Sequence, residues 1–215
     1  MKLDYSHREP SPAEERANSI SHALGLIASL AAAPILIYNA VRYGATSAVI
    51  GVTIFACSVI CLYLASTLYH TLPEERGKNV FRLLDHAAIF LLIAGTYTPF
   101  TLGVLRGPWG WTLLGLIWLL AVAGLILNAV PWTRFSRVTI VLYVVMGWLA
   151  IIALRPILAQ VPLAGIIWIV AGGIAYTGGL VFFTMHRVRF SHFIWHLFVM
   201  AGTICHFFAV LWYSS

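Results

Sequence analysis

The sequence predicts an all-α membrane protein: a bundle of seven transmembrane helices with its N-terminus in the cytoplasm and its C-terminus outside. Three observations predict it. Of the 215 residues, 61% are apolar and only 9% charged, whereas a soluble domain carries about 25% charged residues. The apolar residues fall into seven runs, each near the ~20 residues that a helix needs to cross a bilayer. Lys and Arg are shared unequally between alternate loops, and this sets the orientation.

The runs lie near 19–42, 47–70, 81–104, 109–129, 137–155, 161–184 and 191–213. Residues 1–18 read as a short polar cytoplasmic segment and 19–215 as one transmembrane domain. The first run is long enough to span and is read as a retained helix, not a cleaved leader. Pro73 follows the second run, Pro108 starts the fourth, and Pro156 and Pro162 bracket the turn after the fifth, each where a helix should stop or begin. Pro34 and Pro99 fall inside the first and third helices and are expected to kink them, which a membrane bundle tolerates when neighbours satisfy the freed carbonyls. In the sixth, Gly165, Gly172, Gly173, Ala175, Gly178 and Gly179 let backbones approach closely, as expected of a packing helix at the bundle centre. No internal repeat is visible, so an inverted-repeat transporter is not supported. Cys57 and Cys61 share one helix face and Cys205 lies on another helix; these are read as small buried residues and not as a disulfide.

Lys2, Arg8, Arg16, Arg76, Lys78, Arg82, Arg134, Arg137, Arg187 and Arg189 lie in the N-terminal segment and beside the loops after the second, fourth and sixth helices. Only Arg42, Arg106 and Arg155 lie on the other side. The positive-inside rule therefore puts the N-terminus in the cytoplasm. The net charge of +6 and pI of 9.5 are read as loop cations held against an anionic membrane surface, with no nucleic-acid partner.

His192 and His196 open the last helix four residues apart, on one face and able to address a common atom. Spans of known direction give every polar residue a depth. His70, at the end of the second helix, reaches the same cytoplasmic layer, and Ser66 lies one turn deeper on the same side. Asp85 sits in the first turns of the third helix and is the one acid that falls within an expected span; an ionisable group inside the membrane is a functional candidate by default. Three imidazoles with an open fourth position form the ligand set of a catalytic zinc. The expected ligands are therefore His70, His192 and His196, with Asp85 as general base and Ser66 orienting it or the substrate. The same convergence would also serve a buried polar network that merely ties the second, third and seventh helices together.

The remaining histidines fit the layer less well. His206 lies ten residues past His196, ~15 Å further along the helix, and is expected to hydrogen-bond near the outer face. His86 follows Asp85 and points ~100° away from it. His7 and His186 fall in cytoplasmic segments. Near the start of the first helix, Glu15, Asn18 and His22 lie at the cytoplasmic depth and are expected to cap the helix or to back the ligands.

These residues also resemble a family, the hemolysin III proteins, related to the progestin and adipoQ receptors and more distantly to the alkaline ceramidases. The likeness covers nearly the whole chain. It rests on Glu15-x-x-Asn18-x-x-x-His22, Ser66-x-x-x-His70, Phe81-Arg82-Leu83-Leu84-Asp85-His86 with Ala94-Gly95-Thr96-Tyr97-Thr98-Pro99 beyond it, and His192-x-x-x-His196. The resemblance implies seven helices with the N-terminus inside, and a zinc at His70, His192 and His196 with Ser66 and Asp85 beside it. The function expected first is a zinc-dependent, ceramidase-like hydrolase of a membrane-lipid amide or ester at the inner leaflet of the plasma membrane, the inner membrane in a bacterium. Two readings stand beside it: a non-catalytic regulator of membrane homeostasis or lipid-sensing receptor with a structural zinc, and a hemolysin-type pore former. Seven apolar spans argue against a secreted toxin.

Overall fold

A computed structural model describes residues 10–73, 76–130, 137–185 and 187–214. All the regular elements among them are helical, and seven helices are long and apolar enough to cross a membrane. The first four are α1 (Pro12–Tyr43), α2 (Thr46–Thr71), α3 (Arg76–Leu102) and α4 (Pro108–Ala129). The fifth span joins α5 (Arg137–Gly147), a 3-10 segment (Leu149–Ala153) and α6 (Leu154–Gln160), and the last two are α7 (Leu163–Thr184) and α8 (Ser191–Tyr213). Pro34 and Pro99 lie within uninterrupted helices.

Helix α1 begins seven residues before the expected run, and a local signal explains it. Ser11 is the N-cap, Pro12 occupies the first turn, and a capping box closes when Ser11 Oγ accepts from Glu14 N–H while the Glu14 carboxylate accepts from Ser11 N–H at 2.9 Å. This adds two carboxylates, Glu14 and Glu15, to a spanning helix, so Asp85 is not the one acid there. The fifth span also differs, running to Gln160 instead of ending before Pro156. After the 3-10 segment the helix restarts at Leu154, which puts Pro156 in a first turn whose N–H groups have no partner inside the helix.

α2 is the most buried span and α7 the least, so the centre of the bundle is not the glycine-rich helix. α2 packs between α1 and α3, α8 between α7 and α1, and α4 against α3. The glycines of α7 do serve close packing, against α8: a Cβ at Gly172 would meet the His206 ring, and one at Gly179 would meet Phe198 and Trp195. A second core joins α3, α4 and α5 through Phe90, Ala94, Ile117, Ala121, Tyr143 and Met146. Cys57 and Cys61 are exposed on the outer surface of the bundle, contrary to their expected burial, and all three cysteines are free. The end of α8 is held where Val104 N–H donates to the Ser214 carbonyl at 2.9 Å.

Candidate metal centre

His70, His192 and His196 come together, each offering one ring nitrogen within 4.8 Å of the others. His196 is almost wholly buried, at 1% exposure. Its Nδ1 donates to the Asn18 carbonyl at 3.2 Å and toward Ser21 Oγ at 3.1 Å. A carbonyl can only accept, so Nδ1 carries the proton and the lone pair of the neutral ring is on Nε2. His70 is set in the same way: Nδ1 donates to Glu15 Oε2 at 2.6 Å, and Nε2 is buried without a hydrogen-bond partner. Lys78 Nζ donates to the other oxygen of Glu15 at 3.2 Å and holds that carboxylate in place.

These contacts explain why α1 matters. On a helix, Glu15, Asn18 and His22 recur at three- and four-residue spacing and so face one way. Glu15 grips His70, the Asn18 backbone carbonyl grips His196, and the His22 ring stacks on the His196 ring with centroids 3.5 Å apart and planes at 10°. All three expected backing residues are therefore in contact with ring ligand candidates. Asn18 acts through its main chain and not its side chain. Ser21, which sequence reasoning passed over, is buried beside them.

Helix α8 is held at its start by α1 as well. Phe190, its N-cap, has φ of 58°, the one positive-φ non-glycine position among the described residues. A bulky residue in that region is strained by about 1–3 kcal/mol and stays there only where its surroundings hold it. Glu14 Oε1 accepts from Phe190 N–H at 2.7 Å, fixing the chain where it turns into the helix that carries His192 and His196.

Asp85 and Ser66 are both buried. The Ser66 hydroxyl faces the Asp85 carboxyl but makes no hydrogen bond of ordinary geometry. Asp85, His192, His196 and His22 line one end of a cavity. From there its walls are largely apolar, with Leu62, Leu92 and Val199 among them. At the far end are Tyr97, Trp148, Tyr176 and His206. His86 lines the cavity too, contrary to the expectation that it turns away: Asp85, His86, Ile89, Leu92, Ile93 and Thr96 form a stripe two residues wide, and the cavity subtends more than 100° of α3. His86 Nδ1 donates to the Arg82 carbonyl at 2.9 Å and lies 4.0 Å from Asp85 Oδ2. His206 does not join the ligand set, as expected; its Nε2 donates to the Ile169 carbonyl at 3.1 Å. His7 and His186 lie outside the described residues.

The residues present fit a metal ion. Two of the three rings commit Nδ1 to an oxygen of α1, the arrangement that orients histidine ligands in metal sites. His70 Nε2 is buried with nothing to satisfy it, as a ligand atom would be.

Comparison with known proteins agrees with the motifs. The family model described as haemolysin-III related matches residues 11–207. The chain is 46% identical over 200 residues to Hemolysin-3 of Bacillus cereus, covering 93% of this chain and 91% of that protein. It is 42% identical over 200 residues to the Hemolysin-3 homolog of Bacillus subtilis (strain 168), covering 93% and 94%. At 26% identity over 166 residues, 73% of this chain and 67% of the relative, it is similar to the human (Homo sapiens) Monocyte to macrophage differentiation factor.

Proposed function

The chain belongs to the haemolysin-III-related family of multi-pass membrane proteins, and on that premise we propose that it is a zinc-dependent hydrolase acting on the amide or ester carbonyl of a membrane lipid. The observation that carries this reading is the placing of lone pairs. His70 and His196 each tie Nδ1 to α1 and turn Nε2 to the shared centre, beside a cavity that also takes in a buried carboxylate. Three imidazoles without a thiolate suit zinc, which supplies a Lewis acid and lowers the pKa of water to ~7 when held by three protein ligands.

The remaining work belongs to this chain's own groups. His70, His192 and His196 hold the ion. The apolar wall excludes bulk water and takes the lipid chain, so the scissile carbonyl rests at the polar end. Asp85 accepts a proton from water as the new carbon–oxygen bond forms, then returns it to the leaving nitrogen or oxygen as the old bond breaks. Ser66 steadies the carboxyl it faces. The distribution of Lys and Arg supports an N-terminus in the cytoplasm and, with it, a centre at the inner leaflet of the plasma membrane.

The test compares wild type with Asp85→Asn, purified and in cells. Asn keeps the size of Asp but cannot take up a proton, so hydrolysis of an N-acyl or O-acyl lipid probe is expected to fall ~10²-fold or more, with bound metal and melting temperature unchanged. The amide or ester lipid that accumulates in Asp85→Asn membranes then identifies the substrate. A variant that keeps both its metal and full hydrolysis overturns the role given to Asp85, and a wild type that holds its metal but hydrolyses no probe leaves a regulator with a structural metal as the better reading.

A further inference from the structure

Behind the far end of the cavity lies a second polar arrangement, centred on Thr203, of which Tyr176 and His206 face the cavity. Thr203 Oγ1 donates its one proton to the Val199 carbonyl at 3.0 Å. Two phenols reach the same oxygen, Tyr63 at 3.0 Å and Tyr176 at 2.8 Å. With its proton committed, the threonine oxygen has only lone pairs to offer, so both tyrosines donate and the oxygen of each is left as an acceptor. His206 lies three residues on, one turn along the same face. Its Nε2 donates to the Ile169 carbonyl, so Nδ1 is the acceptor of the neutral ring; that atom has no partner, in a residue only 8% exposed.

Three neighbouring donors are spent. Thr96 donates to the Leu92 carbonyl, Trp148 Nε1 to Thr177, and Tyr97 to the Met146 carbonyl. Tyr176 and His206 both line the cavity, their rings 5.4 Å apart. Buried acceptors facing no donor are a standing cost that a ligand bringing a donor removes.

We infer that Tyr176 and His206 form a second polar subsite, which receives a hydrogen-bond donor carried on the lipid's acyl chain: a hydroxyl or an amide N–H. His196 and His206 are ten residues apart on one straight helix, so the donor lies ~15 Å from the centre where the carbonyl rests, across apolar wall. The ligand is thus a chain polar at both ends of the cavity and apolar between, which a plain alkyl chain matches less well. This rests on the hydrolase reading only for what lies at the metal end.

The experiment measures binding, not turnover. Purified protein in lipid nanodiscs, its metal content known, is titrated with palmitic acid and with a series of hydroxypalmitic acids differing in hydroxyl position, each displacing a fluorescent fatty acid. Affinity is expected to peak at one hydroxyl position, about ten-fold or more above palmitic acid. His206→Leu and Tyr176→Phe should each remove most of that peak while leaving palmitic acid affinity and metal content in place. If His206→Leu does not fold, the wild-type series and Tyr176→Phe still decide. A flat series, as when an ordered water already satisfies His206, overturns the inference; so does a peak that survives both substitutions, or no binding of any member. Turnover of the acyl-lipid probe by wild type keeps the two readings apart. A peak without turnover removes the hydrolase reading alone, and turnover with a flat series removes this one alone.

Discussion

The two ends of one cavity are both built from buried histidines and hydroxyls, yet only one has the making of a metal centre. At the near end, His70 and His196 use one ring nitrogen on α1 and turn the other to a point they share with His192. At the far end, His206 uses its Nε2 on α7, and the tyrosines and the indole are bonded to threonines or to main chain. The difference lies in what the other nitrogen faces, not in the residue type. A histidine reads as a ligand when a fixed oxygen sets its tautomer and its lone pair meets others like it; a lone histidine fixed in the same way is a hydrogen-bonding residue.

The largest effect expected from this contrast is in metal content. His196→Ala should reduce bound zinc in purified protein from about one equivalent to nearly none, because two imidazoles hold zinc far more weakly than three. His206→Leu should keep the full equivalent. Elemental analysis of the two variants side by side checks both, and full occupancy in His196→Ala would place the ion elsewhere and dissolve the comparison.

The contrast was partly legible in the sequence. Seven runs of hydropathy set the spans, and depth along spans of alternating direction was enough to bring His70, Ser66, Asp85, His192 and His196 to one layer. Depth does not report which way a backbone carbonyl faces, so the part played by Asn18 had no side-chain signal. Ser21 was hidden for a related reason, as a single serine among apolar residues has no pattern. The capping box at Ser11 and Glu14 was present in the sequence but lay outside the apolar run, so α1 was begun too late and Glu14, the carboxylate that braces the start of α8, was left in a polar tail. His86 was turned away by the angle between consecutive residues, which assumes a narrow site; the cavity is wider than that.

A smaller effect tests whether α1 is what makes the near end different. Glu15→Gln keeps shape and leaves an oxygen that can still accept from His70 Nδ1, but removes the charge that strengthens the bond and that Lys78 answers. Loss of the carboxylate behind a histidine ligand lowers metal affinity by about 10–100-fold. Chelator competition should show a drop of that order, with nearly full metal at saturating zinc and a melting temperature close to wild type at that concentration. Unchanged affinity would mean that α1 only packs against the site.

The smallest effect is sought at the opposite end, where Tyr97 holds together the break in the fifth span. Between α5 and the 3-10 segment the helical ladder is interrupted, and inside a membrane each main-chain group left over must find a partner. One phenol supplies it: Tyr97 Oη donates to the carbonyls of Met146 at 2.9 Å and Gly147 at 3.1 Å, and accepts from Ala150 N–H at 3.0 Å. Tyr97→Phe keeps the ring and removes all three contacts. Leaving buried main-chain groups unsatisfied costs about 1–3 kcal/mol, and for a chain of this size each kcal/mol lowers the melting temperature by roughly 2–4 °C. A drop of a few degrees is therefore expected in purified protein, with zinc content and the chelator-competition constant unchanged, because Tyr97 lies twelve residues beyond Asp85 on α3 and touches none of the histidine ligands. If Tyr97→Phe instead loses metal in step with stability, the two ends are one cooperative unit, and the division of roles between them has to be replaced by a bundle whose break in the fifth span sets the geometry of the centre.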